Sequence, residues 1–459
     1  MKFFKIALPL SVLLFIAAAP SEPGPIPVGV ATIDTTPTEP MRLSGYGSRT
    51  TPSEGIEQKL HAKALAIGTG TNDEPLSVFI TLDAIGIPAW MTKEVAKRLG
   101  EKKGVIREQL VIAATHTHTG PSIRDMIPFM FPSGFTEDEK AAIDRYSKDL
   151  VDKLEKVALD AIAARKPSRL AWGKGTLTFA ANRRVMENGK WKGFGVQEDG
   201  PVDHTMPMLQ VTNAKGDNVA VLVNYACHCT TLGGDFNRIH GDWAGEAQSE
   251  IEKRHDGMTA MIAIGCGADH NPEPRTNLDA VAAHGQAVAD EVDRMLGEKL
   301  APLSAVPVGN YNEIALPLDD LPDRAEWERQ VTEKVRNHHF AVAMLEKLDR
   351  GEELATSVTY PIQTWTFGDD LAMVFLGGEV VVDYAHRLYR ELDANRIWLN
   401  SYSNDVPCYI TSRRIYNEGG YEVDDSRIYY GIPARLRPDT EDRICDEVIR
   451  QLPPNFHAN

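Results

Sequence analysis

Residues 110–121 read Leu-Val-Ile-Ala-Ala-Thr-His-Thr-His-Thr-Gly-Pro. An apolar run ends in alternating threonine and histidine and stops at a Gly-Pro turn. Gln109 to Ala114 therefore reads as a buried strand, and the turn closes it. His116 and His118 lie two residues apart and share one face of an extended chain. At a strand's end both can converge on a metal, or one can bind while the other moves protons, because imidazole is both a common ligand and a proton carrier near neutral pH. Read alone, the pair is equally two core histidines.

Outward from this stretch, strands and helices alternate. Strands are expected at Val28 to Ile33, Ala62 to Ile67, Ser77 to Leu82, Pro207 to Val211, Val219 to Tyr225, Met258 to Ile264, Val358 to Phe367, Leu371 to Leu376 and Arg396 to Asn400. Thr92 to Leu99 reads as a helix. Thr136-x-x-Glu139 is a capping box, and Ile143, Tyr146, Leu150, Leu154, Val157 and Ala161 follow it at helical spacing until Pro167. Further helices are expected at Leu278 to Leu296, Arg324 to Leu348 and Val381 to Leu392. Several strands are continuous apolar runs, so both of their faces should be covered. The expected class is α/β: a mixed β-sheet core with helices on both faces, in a single large catalytic domain spanning residues 28–459.

The chain has 459 residues and a formal charge of −16. Such acidity argues against a nucleic-acid partner and against anionic membrane surfaces. Residues 1–19 read as a signal peptide: Lys2 and Lys5, an apolar core from Ile6 to Ile16, then Ala17-Ala18-Ala19 before cleavage near Ala19. Residues 20–27, rich in proline, read as a linker. The expected location is outside the cytoplasm, and no later segment is long and apolar enough for a transmembrane helix. The five cysteines are too few for a disulfide scaffold. Cys227-His228-Cys229 leaves a thiolate zinc site open, although structural zinc sites use wider spacings.

Four polar motifs each end an apolar strand or follow one closely: Thr115 to Pro121, Asn224 to His228, Gly377-Gly378-Glu379, and Pro407 to Thr411. Strand ends are where such folds bind ligands. Two histidines and a glutamate form a common catalytic zinc set with a position left for water. Taken singly, His228 is equally a buried histidine bonded to a carbonyl, Glu379 a helix N-terminal acid, and Tyr409 a core aromatic. Composition does not join them.

The order and wording of these motifs resembles the neutral (non-lysosomal) ceramidase family, from about Val28 to Glu422. The matching segments are Val28-Gly29-Val30-Ala31, Leu43-Ser44-Gly45-Tyr46-Gly47, Gly55-Ile56, Leu60-His61-Ala62-Lys63-Ala64, the Thr-His-Thr-His-Thr-Gly-Pro run, Asn182-Arg183, His228, Gly-Gly-Glu379 and the Tyr409 segment. The resemblance implies a Zn²⁺ held by His116, His228, Glu379 and Tyr409, with His118 beside the attacking water. It implies that Arg183 and Tyr421, twelve residues after Tyr409, steady the oxyanion or hold polar substrate groups. Two departures stand out. The family's Gly-Asp-x-Ser-Pro-Asn segment reads Gly267-Ala268-Asp269-His270-Asn271-Pro272 here, so Asn271 replaces a serine proposed as nucleophile, and an asparagine cannot accept an acyl group. The family's immunoglobulin-like C-terminal domain has no counterpart before Asn459, so the catalytic-type domain is expected to stand alone.

The implied function is an exported zinc-dependent hydrolase, ceramidase-like, that cleaves the amide of an N-acyl substrate, a ceramide-like lipid or another small molecule. A metal-dependent esterase or carbohydrate deacetylase is the alternative within enzymes, and an exported ligand-binding protein the alternative outside them. Met126 to Pro132 follows the histidine motif and is expected either to wall an apolar pocket or to pack on the core.

Overall fold

The structure, a computed structural model, describes residues 24–71, 74–335 and 338–458. The expected signal peptide and the first four linker residues lie outside the described residues. The first strand, β1 (Ile26–Asp34), takes up the end of the expected linker.

One large mixed sheet carries most of the first half of the chain. Its strands are β1, β2 (His61–Ile67), β3 (Ser77–Leu82), β4 (Leu110–Ala114), β5 (Lys166–Thr176), β6 (Thr205–Asn213), β7 (Asn218–Tyr225) and β8 (Thr259–Ile264), in the order β8-β7-β6-β5-β1-β2-β3-β4. A short strand, Ala301–Leu303, pairs with β5. Among the described residues the two halves pair where Ile26–Val28 meets Lys166–Ser168, and the sheet curls until edge strand β8 returns against β4. The pairs β3/β4 and β7/β8 are parallel. A second sheet follows, in the order β9 (Val308–Pro317), β10 (Ser357–Phe367), β11 (Leu371–Leu376), β12 (Ile397–Asn400). Its last pair, β11/β12, is also parallel.

The apolar runs are explained by what covers them. In β3, Val78, Ile80 and Leu82 face a core shared with helices α1 (Ala89–Lys103) and α2 (Glu137–Ala163), while Phe79 faces the other way. In β4, Leu110, Ile112 and Ala114 join the helix side, and Val111 and Ala113 the opposite side. That opposite side packs on the second sheet. Phe79 meets Phe375 with ring centroids 5.4 Å apart and Trp365 at 6.2 Å, and Met261, Leu209 and Trp398 belong to the same cluster. Helices α3 (Asp242–Arg254) and α4 (Leu278–Leu296) cover β8 and β5. Helices α5 (Asp383–Glu391) and α6 (Thr440–Gln451) contribute to the core on the outer side of the second sheet. The mixed α/β class is as expected, with a sheet core two layers deep.

Most expected elements fall where the periodicity placed them, and α2 opens on the capping box at Thr136 and Glu139. The helix expected over Arg324 to Leu348 is two helices, Arg324–Thr332 and His338–Asp349; Lys334, just past the C-cap of the first, takes a left-handed φ of 49° and turns the chain away from the helical path. Pro167 stops α2's run as expected, and the chain passes directly into β5.

Helix α2 lies so close to β1 that a Cβ on Gly29 would stand 2.1 Å from the Ala161 carbonyl oxygen and 2.7 Å from the Arg165 nitrogen. Both neighbours are backbone and cannot rotate away. Gly29→Ala is therefore expected at the upper end of overpacking costs, about 3 kcal/mol, read as a lower midpoint in chemical denaturation. A loss within error of zero would mean that α2 can lift off β1 freely.

Candidate metal centre

The ends of the three parallel strand pairs meet at one place. His116 follows β4 and adopts φ 60°, a left-handed conformation that a non-glycine residue keeps only when its surroundings enforce it. Its Nδ1 lies 2.6 Å from the Ile85 carbonyl, just past β3. His228 follows β7, and its Nδ1 lies 2.9 Å from the Gly267 carbonyl past β8. Thr117 pairs with Cys229 as an isolated parallel bridge, and the His118 N–H donates to the Cys229 carbonyl at 3.2 Å. The two histidine loops are thus zipped together. From the second sheet, Glu379 and Tyr409 sit side by side in a two-residue parallel ladder.

Proton positions follow from these partners. A backbone carbonyl only accepts, so Nδ1 of His116 and His228 carries the proton. His118 does the same at 3.1 Å from the Gly45 carbonyl. In a neutral ring the Nε2 is then a bare lone pair. The Nε2 atoms of His116 and His118 are 3.1 Å apart. Glu379 Oε2 lies 3.1 Å from His116 Nε2 and 3.2 Å from His228 Nε2, and the Tyr409 hydroxyl is 3.2 Å from His228 Nε2. Glu379 Oε1 accepts from the Tyr430 hydroxyl, whereas the buried Oε2 has no hydrogen bond. Acceptors therefore face acceptors across a buried point.

Charge follows the same logic. Burial, with Arg183 nearby, pushes His228 down to about 3. Burial and the neighbouring rings of His116 and His228 hold His118 well below the usual imidazole range. Burial alone would raise the Glu379 carboxyl, but its close interactions with the His116 and His228 rings outweigh this and hold the group well below the usual carboxylate range. The spot favours a positive charge. Among the described residues, the donor atoms of His116, His118 and His228 lie within 4.8 Å of one another, close enough to share a metal ion. With the orphaned Glu379 oxygen, the residues fit a divalent cation of the zinc type, whose usual ligands are nitrogen and carboxylate oxygen.

A cavity of about 480 Å³ opens beside the centre. His118, Tyr409, Arg183, Asn271 and Tyr421 line it; His116, His228 and Glu379 do not. Arg183 is buried, with Nε donating to Glu422 at 3.0 Å, Nη2 to the Tyr409 hydroxyl at 3.0 Å and Nη1 to Asn271 Oδ1 at 3.5 Å. Thr230 also donates to Asn271 Oδ1, at 3.2 Å. Tyr421 packs edge-on to Tyr409 at 5.6 Å between centroids.

The structure thus gathers all seven sequence-derived candidates: His116, His118, Arg183, His228, Glu379, Tyr409 and Tyr421. Further residues take part whose roles the sequence does not reveal. Tyr430 orients Glu379 by donating to its Oε1, and nothing in the local sequence pattern marks it. Glu422 holds both Arg183 and Arg184. Gly45, at φ 96°, leaves room for His118, since a Cβ there would come 2.5 Å from that ring. Of Met126 to Pro132, Met130 lines the cavity, while Met126, Ile127 and Phe131 are core. Cys227 and Cys229 point into the hydrophobic core, opposite His228, and burial pushes their thiols well above the usual range. All five cysteines are buried and free, so the Cys-His-Cys run is a core strand end.

The sequence model for neutral/alkaline non-lysosomal ceramidases, N-terminal part, matches residues 27–297. The chain belongs to this ceramidase family. It is 28% identical to the neutral ceramidase of Pseudomonas aeruginosa over 285 residues, 59% of this chain and 41% of that protein. It is 22% identical to neutral ceramidase A of Dictyostelium discoideum over 251 residues, 52% of this chain and 33% of that one. The matched region spans less than half the length of these curated relatives. The crystal structure of the P. aeruginosa neutral ceramidase superposes with a TM-score of 0.70 at 20% identity, over 93% of this chain and 74% of that chain. The ceramidase fold therefore extends past residue 297, to the sheet that supplies Glu379 and Tyr409.

The depressed pKa of His228 has a consequence for stability. Between its ordinary value and about 3 the unfolded chain binds a proton that the folded chain refuses. Stability of the metal-free protein must then rise with pH across that window and fall as the solution is acidified through it. Urea denaturation of chelator-treated protein from pH 7 to pH 4 should show this decline, with a shallower slope in His228→Gln. Equal slopes would show that His228 does not titrate in this way.

Proposed function

We propose that this chain is an exported zinc-dependent amidohydrolase that cleaves the amide bond of an N-acyl lipid, ceramide-like in its acyl half. The observation that carries the reading is the meeting of three imidazole Nε2 lone pairs with the orphaned Glu379 oxygen beside a partly apolar cavity, in a chain of the ceramidase family. The family membership supports amide hydrolysis, and the start of the sequence, Met1 to Ala19, supports export. Residues 28–459 act as one unit in this reading, because the proposed ligands come from both sheets.

His116, His228, Glu379 and Tyr409 would hold the metal. A bound Zn²⁺ polarises a carbonyl and acidifies a water molecule. The protein's own groups do the rest. His118 reaches into the cavity, is neutral near pH 7, and has its Nδ1 proton anchored on Gly45; its Nε2 is free to take a proton from the attacking water and hand it to the leaving amine. Its carbonyl is gripped by Arg49 Nη1 at 2.5 Å, which fixes the loop. Arg183 and Tyr421 face the cavity as donors for the oxyanion. Arg183 also donates to the Tyr409 hydroxyl, which leaves the phenol oxygen's remaining lone pair for the metal.

The ligand assignment has a direct test. His116→Ala and His228→Ala should each lose about one zinc per chain and the activity together, measured by elemental analysis and by hydrolysis of a fluorescent N-acyl sphingosine. His118→Ala should keep its zinc and lose turnover by about 10²–10⁴. Loss of zinc from His118→Ala would instead make His118 a ligand, and full activity of metal-free protein would end the zinc reading.

The nucleophile has a second test. Asn271 is held by Thr230 and Arg183 and offers no acyl acceptor. Oxygen from labelled water should enter the released acid in a single turnover with no acyl group on the protein. Asn271→Ala should lose only hydrogen bonds, about 1 kcal/mol each. A burst of amine ahead of acid would mean a covalent route.

A further inference from the structure

Arg275 lines the same cavity as His118 and Tyr409, and the mechanism above makes no use of it. Its Nε is closed off from solvent and has no hydrogen-bond partner. No ion pair of this guanidinium is found among the described residues. Arg183, the other arginine of the lining, and Arg49, beside His118, both have protein partners. Arg183 pairs with Glu422 and bonds Tyr409, and Arg49 donates to the carbonyls of Ser44, His118 and Phe236. Asp425, the acidic residue of the lining, is itself engaged. Arg49, Arg107, Arg184 and Arg427 also keep a buried Nε without a partner, but each donates through its terminal nitrogens; a lining guanidinium with no hydrogen bond at all among the described residues is costly, and native structures rarely leave one without a reason. A carboxylate entering the cavity would be matched by the terminal nitrogens of such a guanidinium.

Another part of the wall has the opposite character. Trp191, Phe194 and Tyr421 form a run of rings, with centroids 5.7 Å apart for the first pair and 4.9 Å for the second. Phe194 stays 54% exposed although it lines the cavity. Met130 adds a flexible apolar side chain to the lining. An exposed aromatic surface beside a catalytic cavity suits an acyl chain, and about 480 Å³ is the size of a small-ligand site. The sphingoid amine of a ceramide carries hydroxyls and no anion, so it leaves Arg275 unanswered.

Resting on the amide-hydrolase reading above, we infer that the substrate is an N-acyl amine whose amine half bears an anionic group, an N-acyl amino acid being the simplest, and that Arg275 binds that anion. Arg275 is then a specificity-determining residue. The aromatic wall takes the acyl chain, the scissile carbonyl lies by His118 and Tyr409, and hydrolysis adds water across the C–N bond to give a fatty acid and an amino acid.

The test uses the zinc-loaded full chain with three amides of one acyl length: N-lauroylglycine, N-lauroyltaurine and N-lauroylethanolamine. Amine release gives kcat/KM for the wild type, Arg275→Gln and Arg275→Lys. The wild type should favour the glycine conjugate over the neutral ethanolamide by about tenfold, the scale of one charge-assisted hydrogen bond. Arg275→Gln should bring that ratio towards one, and Arg275→Lys should keep part of it. Cleavage of the taurine conjugate as well would make the subsite a general anion site; its rejection would make it specific for carboxylate. Either result supports the inference. An ethanolamide cleaved as fast as the glycine conjugate by the wild type, or a ratio unmoved in Arg275→Gln, overturns it. If none of the amides is cleaved, the amidase reading fails on its own. Calorimetric binding of N-lauroylglycine then decides the anion site: binding that is lost in Arg275→Gln sustains it, and no binding to the wild type removes it.

Discussion

A backbone carbonyl can accept a hydrogen bond but never donate one, and in this protein three such carbonyls set the protonation of the whole centre. Ile85, Gly45 and Gly267 each claim the Nδ1 proton of a histidine. The Nε2 lone pairs of His116, His118 and His228 are thereby turned inward, towards a carboxylate that is also an acceptor. Without a positive charge between them the arrangement repels itself. The Ile85 and Gly267 carbonyls lie just past the ends of β3 and β8, and the Gly45 carbonyl lies in the loop between β1 and β2, so the backbone fold itself enforces this demand. Tyr430 strengthens it by occupying one oxygen of Glu379 and leaving the other to face the rings.

Keeping those strand ends in register falls to a short loop after β12. The Ser401 N–H donates to the Ile264 carbonyl at the end of β8, and the Tyr402 N–H to Gly378 beside Glu379. The Tyr402 carbonyl accepts from Ala114 at the end of β4, and the Asn404 N–H reaches Ile112 in the same strand. The Asn404 side chain accepts from the Ile112 N–H and donates to Gln363 in the second sheet. Tyr402 and Asn404 both take left-handed φ values, 51° and 67°, to make these turns. Three residues therefore rivet both edges of the large sheet to the second sheet, and the ring of Tyr402 lies tilted against that of His116 with centroids 4.3 Å apart.

The ion pairs around Arg183 act in the same sense. Taking Arg183, Arg184 and Glu422 out of water is expensive, and a buried pair of this kind gains its value from orientation more than from net stability. Arg183 is aimed at Tyr409 and Asn271 because Glu422 holds its Nε; Arg184 supplies the second cation that a buried carboxylate needs, and Glu418 takes up its far side. Exact placement of Tyr409 depends on this chain of charges reaching from the 180s to the 420s.

The sequence by itself determined the elements whose signal is local. The capping box before α2, the periodic face of Leu278–Leu296 and the apolar runs of β3, β4 and β11 are written in spacing and side-chain type, and they stand where expected. The histidines, Glu379 and Tyr409 were legible as polar motifs at strand ends, and the family's wording named them as a set. Other elements carry no such signal. Lys166–Thr176 is broken by glycines that fit α4's side chains, and Asp242–Arg254 presents small residues to its core. Nor could spacing foresee that the large sheet curls, that two sheets pack face to face, or that residues 116, 228, 379 and 409 meet. Those are long-range outcomes of burying both faces of each strand. The roles of Gly45, Glu422, Tyr430 and Arg275 depend on who their neighbours are across the fold, and only the tertiary structure decides that.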